Sequence, residues 1–506
     1  EDYTSPAVVT ALLALSGVTD VLPAYDSTLV EYDARALSSW QVSFATEQAG
    51  SAPRRDADAA LPRDVEIPVA YGGEHGPDLA EVAARAGLSG SEAATLHASA
   101  TYGVRAVGFA PGFPFMTGVP QPLRAPRLST PRKSVPAHSV AVAGHQTGVY
   151  PVATPGGWNL LGRALVAVYD PHREDPFLVK VGDRVRFTRA AAGQDSSPPA
   201  APTPLSLLPA EPTRPALEVM RPGLHDIVVD AGRYRAGRFG LARGGPLDHH
   251  AARLANLLVG NEPDAPLLEM TASGPTLLAL DDLVIAVTGP ALAPFLGGQQ
   301  VEGHTGLRLR RGTELAFRPT GVGVRSYLAV AGGLEAQRFM GSASTDARGL
   351  LGRSLAAGDV LGVAAQVVTV TGRSFTPAAR RFAPYVRSGP KRWAVSVRLV
   401  PGPQYEPDAW RALLAGRFEI AAADRVGLRI AGPAVPGGEI TSEGIPIGAV
   451  QVPPSGDPLV LLNDRGTLGG YTKPAVVHPK DLSLLGQLRE GDVLTFRPAQ
   501  RGVPKT

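Results

Sequence analysis

Residues able to do chemistry crowd one stretch of this chain. His97, Tyr102, Arg132, Gln146, Tyr150, Trp158 and Asn159 lie on or beside three segments rich in glycine and proline. The first is Gly108-Phe109-Ala110-Pro111-Gly112-Phe113-Pro114-Phe115. The second runs from Gly144 to Pro151, the third from Pro155 to Arg163. Pro111 and Pro114 remove backbone donors and fix φ, so no helix passes through the first. Interior Pro and Gly also break a strand ladder. The composition predicts rigid loops that display aromatic faces, a common setting for function. Phe113 and Trp158 could stack a planar group, while Gln146 and Asn159 could read an amide. Arg132 could grip a carboxylate or phosphate through its fork. Taken singly, each residue has a plain alternative, as satellite core or turn cap. As a set we read them as a site. His97, Tyr102 and Gln146 are its catalytic candidates; Phe113, Arg132, Tyr150, Trp158 and Asn159 are its substrate contacts.

The second half places acids and cations near glycines. Asp230-Ala231-Gly232-Arg233, Gly244 to Asp248, Asp424-Arg425 and Asn463 to Lys473 are the segments concerned. Asp424-Arg425 reads as a structural ion pair. Gly469-Gly470-Tyr471-Thr472-Lys473 reads as a loop whose paired glycines let a ligand approach backbone N–H groups. Lys473 could neutralise phosphate there. A tight hairpin turn is the alternative.

These residues need a scaffold. A chain of 506 residues exceeds one core, so about two to four domains are expected. Its 58 glycines and 48 prolines, without a collagen period, point to many turns and short strands. Helices are expected over Pro6–Leu15, Leu37–Glu47, Asp78–Ala86 and Ser91–Ala98. Two short strands are expected over Val21–Tyr32 and another over Val65–Val69. Short strands dominate from Gly103 onward. Gly turns feed alternating strands at Val181–Phe187, Arg311–Phe317, Ala357–Leu361 and Glu490–Phe496, which points to recurring β-barrel closure. Asp248 N-caps a helix running to Val259, with Gly260 past its end. A weaker helix is expected over Pro407–Leu414. The Pro/Ala-rich stretch 190–215 reads as a linker that cannot order itself. The expected divisions are 1–100, an α/β N-terminal domain; 101–189, a β-barrel; 190–215, the linker; 216–498, a second barrel half; and 499–506, a tail.

The formal charge is +3 with no Lys/Arg run, which argues against nucleic acid as a partner. There is no cysteine, so disulfides and thiol catalysis are excluded. No apolar run reaches membrane-spanning length, and no signal peptide is visible. A cytoplasmic protein follows, with no membrane partner. The first residue is Glu1, so a native N-terminus is expected to be missing. Phosphate loops, dinucleotide fingerprints, zinc helices and nucleophile elbows are absent, and the histidines lack metal spacing.

The same motifs carry a resemblance. The first half resembles the 5-oxoprolinase B subunit, the KipI family, also known as allophanate hydrolase subunit 1. Gly108 to Phe115, Gln146 to Pro151 and Pro155 to Arg163 carry the likeness. The second half resembles the 5-oxoprolinase C subunit, the KipA or carboxyltransferase-like family (allophanate hydrolase subunit 2). Its carriers are Arg253 to Asn256 with Leu258 to Asn261, Leu268-Glu269, Tyr327 to Gly333, Gly444 to Pro454 and Asp464 to Lys473. The chain resembles a B–C fusion. The likeness implies a mainly β molecule: a small α/β N-terminal domain, then cyclophilin-like β-barrels in tandem. It implies ATP-dependent opening of the 5-oxoproline lactam to glutamate with a separate A subunit of the LamB/YcsF type, and a possible homo-oligomer. ATP and Mg²⁺ are implied as cofactors. Arg132, Arg233, Arg465 and Lys473 are then phosphate candidates, with Gly469 and Gly470 beside them; Asp230, Asp248 and Asp464 are carboxylate candidates.

This chain departs from the family pattern at Val229, at Ala242 to Asp248 and at Leu468 and Thr472. Two other functions stay open. One is a carboxyltransferase-like component, as in urea carboxylase and urea amidolyase, acting on urea or a small amide with a biotinyl partner. The other is a non-catalytic regulator of a histidine kinase, as KipI-like proteins resemble.

Overall fold

The computed structural model describes residues 4–51, 62–190, 197–365 and 393–499. Residues 191–196 of the expected linker and 500–506 of the expected tail lie outside them.

The chain opens with a helix, Pro6–Ala14, whose N-cap Ser5 accepts from the Val8 amide. A hairpin follows, Val18–Ala24 against Ser27–Tyr32. Helix Ser39–Ser51 covers it, and Val8, Leu12, Val21 and Val42 form a small core between them. The hairpin joins the first barrel's sheet where Ala24 pairs Ala106, so one sheet carries strands from both sides of residue 100.

Two β-barrels share one strand order. In the first, Asp64–Tyr71 runs parallel to Arg184–Arg189. The sheet continues through Thr101–Val107, Pro114–Thr117, Gln146–Val149, Ser139–Ala143 and Asn159–Ala164, which closes on Asp64–Tyr71. In the second, Ala394–Pro401 runs parallel to Val493–Pro498. It continues through Arg417–Ala423, Gly427–Ala431, Leu459–Leu461, Ala449–Val452 and Leu468–Val477, and closes on Ala394–Pro401. The barrel of the second half thus occupies its end. Residues 215–362 form a sandwich of a six-stranded and a five-stranded sheet over a shared aliphatic core. Helix His249–Leu258 packs on the outer face of the smaller sheet.

The recurring Gly turns are barrel and sandwich closures. Gly182, Gly312, Gly358 and Gly491 all have positive φ. In three of these turns the following Asp accepts a backbone N–H three residues upstream: Asp183 from Lys180, Asp359 from Ala356, Asp492 from Arg489. This is the local hydrogen bonding that favours Asp in turns.

Several expected loops are strands. Pro114 and Phe115 begin Pro114–Thr117, Gln146 begins Gln146–Val149, Asn159 begins Asn159–Ala164, and Gly469 to Lys473 lie inside Leu468–Val477. Pro155 sits in a two-stranded side sheet, where a missing donor is tolerated. The described part of the expected linker is ordered. Leu205 exchanges backbone hydrogen bonds with Leu350 and Gly352, Leu207 is buried, and Thr213 bonds Glu335. A few leucines anchor a segment whose average composition hides them.

The halves meet through aromatics. Phe113, Phe115, Tyr150, Trp158, Tyr169 and Phe177 pack with Leu241, Phe339, Leu351 and Leu468. A Cβ at Gly108 would stand 2.3 Å from Leu468 Cγ, so the contact requires glycine.

A buried ion network locks the sandwich to the second barrel. Glu269, fully buried, accepts from Arg425, from Tyr327 Oη at 2.7 Å and from the Leu247 amide at 3.0 Å. Arg425 also grips Asp464 through two nitrogens, at 2.7 and 3.0 Å, and the Gly245 carbonyl at 2.8 Å. Although burial opposes it, Arg425 and Arg325 hold the Glu269 carboxyl below its ordinary value. Removing one partner strands buried charge. Glu269→Ala is therefore expected to cost about 3–5 kcal/mol, read as a lower urea midpoint of the sandwich and second barrel. An unchanged midpoint would show that the network contributes nothing.

Candidate functional site

A cleft of 860 Å³ opens where the N-terminal hairpin, helix His249–Leu258 and the second barrel meet. Glu31, Asp230, Tyr234, Arg243, His249 and Arg253 line it. Each is placed by a neighbouring constraint. Glu31 projects from hairpin strand Ser27–Tyr32 and forms ion pairs with Arg243 and, at 3.1 Å, with Arg465. Arg243 precedes the glycine turn Gly244-Gly245, which Asn463 pins through the Gly244 and Pro246 carbonyls at 2.9 and 3.0 Å. Asp248 caps the helix by accepting from the Ala251 amide at 3.1 Å, so His249 sits in its first turn.

Arg243 lies 4.8 Å from the Tyr234 ring centre, and its Nε has no hydrogen-bond partner. Burial, reinforced by Arg243, pushes the His249 imidazole down to about 4, so it is neutral near pH 7. A guanidinium paired with Glu31, an aromatic face and a neutral imidazole suit a small planar acid or amide.

Of the second-half candidates only Asp230 lines this cleft. Its carboxylate accepts from Ser344 Oγ at 2.7 Å, from the Ala343 and Gly232 amides, and from Arg338 at 2.9 Å. Asp248 is the cap just described and also accepts from Gln487 at 2.8 Å. Asp464 belongs to the Arg425 network. Arg465 donates to the Ile445 carbonyl at 2.7 Å and to Glu31. Arg233 is wholly buried, donating to the Phe339 and Ser344 carbonyls. Lys473 is buried against Glu443 at 2.9 Å, on the strand that carries Gly469 and Gly470.

None of the first-half candidates lines the cleft. Phe113, Tyr150 and Trp158 are buried in the aromatic core rather than displayed, because that core joins the halves. His97 is buried between Tyr102 and Phe187, and the Tyr102 hydroxyl donates to the His97 carbonyl at 2.7 Å. Asn159 donates to the Pro126 carbonyl at 2.8 Å, Arg132 pairs with Asp78 at 2.7 Å, and Gln146 pairs in a hairpin. Asp424 does not pair with its neighbour Arg425; it accepts from the Val426 and Gly427 amides. Glu31, Tyr234, Arg243 and His249 are not among the residues expected from sequence. Arg243 and His249 lay in or beside the altered Ala242 to Asp248 segment, and Tyr234 directly follows the Asp230 to Arg233 segment; Glu31 had no such signal.

The expected phosphate residues do not fit a nucleotide. Arg132, Arg233, Arg465 and Lys473 are each committed to a carboxylate or carbonyl, and they do not converge. The expected carboxylates are likewise spent, and among the described residues no group of three His, Asp or Glu forms a metal-holding set. Among the described residues no helix is long and apolar enough to cross a membrane.

The profile of carboxyltransferase-domain subdomains C and D matches residues 4–179, and that of subdomains A and B matches residues 239–498. The chain belongs to the carboxyltransferase-domain family. Its first half is 42% identical over 188 residues to the 5-oxoprolinase B subunit of Escherichia coli O157:H7, covering 37% of this chain and 81% of that protein. Its second half is 34% identical over 297 residues to the 5-oxoprolinase C subunit of Escherichia coli K12, covering 55% and 90%. The solved structure of TTHA0988 superposes with a TM-score of 0.89 at 51% identity, covering 98% of this chain and 97% of that one. One carboxyltransferase-family chain thus joins counterparts of two separate subunits.

Asp20 tests the electrostatics beside the cleft. It accepts from the Val21 and Gly237 amides, and burial, then Glu31, raises its carboxyl from 3.8 to about 6. Between those values the folded state holds a proton that the unfolded chain has released. Asp20's favourable contribution is therefore complete below about pH 4 and is lost as pH rises through about 6. Asp20→Asn should gain on the wild type by up to about 3 kcal/mol between pH 4 and pH 7, measured from urea midpoints. A difference that stays flat with pH would contradict the assignment.

Proposed function

We propose that this chain is the fused B–C component of an ATP-dependent 5-oxoprolinase that opens the lactam of 5-oxoproline to glutamate together with a separate A subunit. One observation carries the proposal. The cleft's central ion pair, Glu31 with Arg243, joins the half resembling the B subunit to the half resembling the C subunit. A site that needs both subunits is served well by fusing them. In this reading the substrate carboxylate displaces Glu31 from Arg243, Tyr234 covers the ring face, and the neutral His249 donates a hydrogen bond to the lactam oxygen. ATP turnover belongs to the assembled complex.

A second reading rests on the family itself, whose profiles describe carboxyltransferase subdomains over both halves. It would have the same cleft accept a carboxyl group from a biotinyl carrier.

With an A subunit supplied, 5-oxoproline should stimulate ADP release. Arg243→Gln should lower kcat/KM about 10- to 100-fold, the loss of one charge-assisted hydrogen bond. Full activity in that variant would reject the cleft. Carboxyl transfer from a biotinyl carrier without any response to 5-oxoproline would favour the second reading.

A further inference from the structure

A separate cavity of 520 Å³ opens at the mouth of the first barrel. Tyr71, Gly73, Gly90, Ser91, Ala94 and Arg189 line it, and none of them lines the cleft. Gly73 and Gly90 face open space where a Cβ would stand. Gly90, Ala94 and His97 share one face of helix Gly90–Ser99, so His97 lies beneath the cavity.

Below the cavity runs a chain of hydrogen bonds whose direction we assign from its inner end, the Thr147 hydroxyl. The Thr147 hydroxyl donates to the Ala141 carbonyl at 2.9 Å, which uses its single proton. Thr147 Oγ1 must then accept from His97 Nε2, 3.1 Å away. His97 is fully buried, and burial pushes its imidazole down to about 3, so the ring is neutral and its one proton is on Nε2. Nδ1 is left as an acceptor, and the Tyr71 hydroxyl donates to it at 2.7 Å. Every proton in the chain points inward. Tyr71 Oη therefore offers only lone pairs to anything in the cavity.

Arg189 supplies the complementary charge. It is exposed and donates through Nη1 to Ser91 Oγ and Thr95 Oγ1 at 3.3 and 2.7 Å. Among the described residues no carboxylate pairs with it. Its charge acts on the Tyr71 hydroxyl.

We propose that this cavity is a binding site for a small carboxylic acid that bears an amide N–H, with its carboxylate on Arg189 and its N–H donated to Tyr71 Oη. An acid of the same size without the donor lacks half of the recognition. The site stands apart from the cleft and does not depend on the function proposed for it.

N-acetylglycine is the probe and 4-oxopentanoate, in which CH2 replaces the N–H, its control, titrated calorimetrically into the full chain carrying Arg243→Gln, which removes the cleft's guanidinium. N-acetylglycine should bind this protein, and bind at least tenfold more weakly once Arg189→Gln is added. Tyr71→Phe should weaken N-acetylglycine but not 4-oxopentanoate. Because that change leaves His97 Nδ1 unpartnered, circular dichroism checks folding, and exposed Arg189 carries the test if Tyr71→Phe unfolds. Bound N-acetylglycine should also slow hydrogen exchange at residues 71–80 and 90–95. No binding in the Arg243→Gln protein, unchanged affinity after Arg189→Gln, or exchange protection elsewhere would overturn the proposal.

Discussion

A carboxylate taken out of water must be met by charge and by donors, and Glu269 is where this molecule meets that demand. Its partners come from two domains: Tyr327 and Leu247 from the sandwich half, Arg425 from the second barrel. Such networks contribute little net stability compared with apolar packing, but they are directional. Here the direction matters. Arg425 also holds the Gly245 carbonyl, and Asn463 holds those of Gly244 and Pro246. The turn that separates Arg243 from His249 is thereby set against the barrel. The cleft's chemistry depends on a lock that does not itself touch a ligand.

The two barrels show how one strand order serves two ends. The first presents aromatics to the neighbouring half and buries them. The second presents Asn463, Asp464 and Arg465 to the sandwich and the N-terminal hairpin. The first makes its contact through close-packed apolar surface, which tolerates no added Cβ at Gly108. The second makes its contact through ions, which require matched partners on both sides. Glu31 answers Arg243 and Arg465 from a hairpin far earlier in the chain.

Much of the scaffold was legible in the sequence. The helices at Pro6, Leu79, Gly90, His249 and Pro407 follow from caps and apolar runs, and the Gly-Asp closures from turn chemistry. The tandem barrels follow from the family resemblance, whose motifs match whole subunits. The glycine- and proline-rich segments misled, because composition does not reveal which face of a strand is buried. Trp158 looks available as a residue type; its burial is decided by Phe113 and Tyr150 packed in the same aromatic cluster and by second-half residues such as Leu241 and Phe339. The cleft residues were illegible for a related reason. Glu31 is an ordinary strand acid until the fold brings Arg243 to it. Asp230 and Arg233 look reactive in sequence yet are consumed by serine, amide and carbonyl partners that only tertiary structure supplies.

The central claim is that one ligand site is built jointly by both halves. Hydrogen exchange of the chain mixed with a supplied 5-oxoprolinase A subunit, with and without 5-oxoproline, tests it most directly. The account predicts simultaneous slowing in the hairpin Val18–Tyr32, in helix His249–Leu258 and around Pro446-Ile447 of the second barrel. Slowing confined to one half, with the segments of the other half exchanging as before, would contradict it.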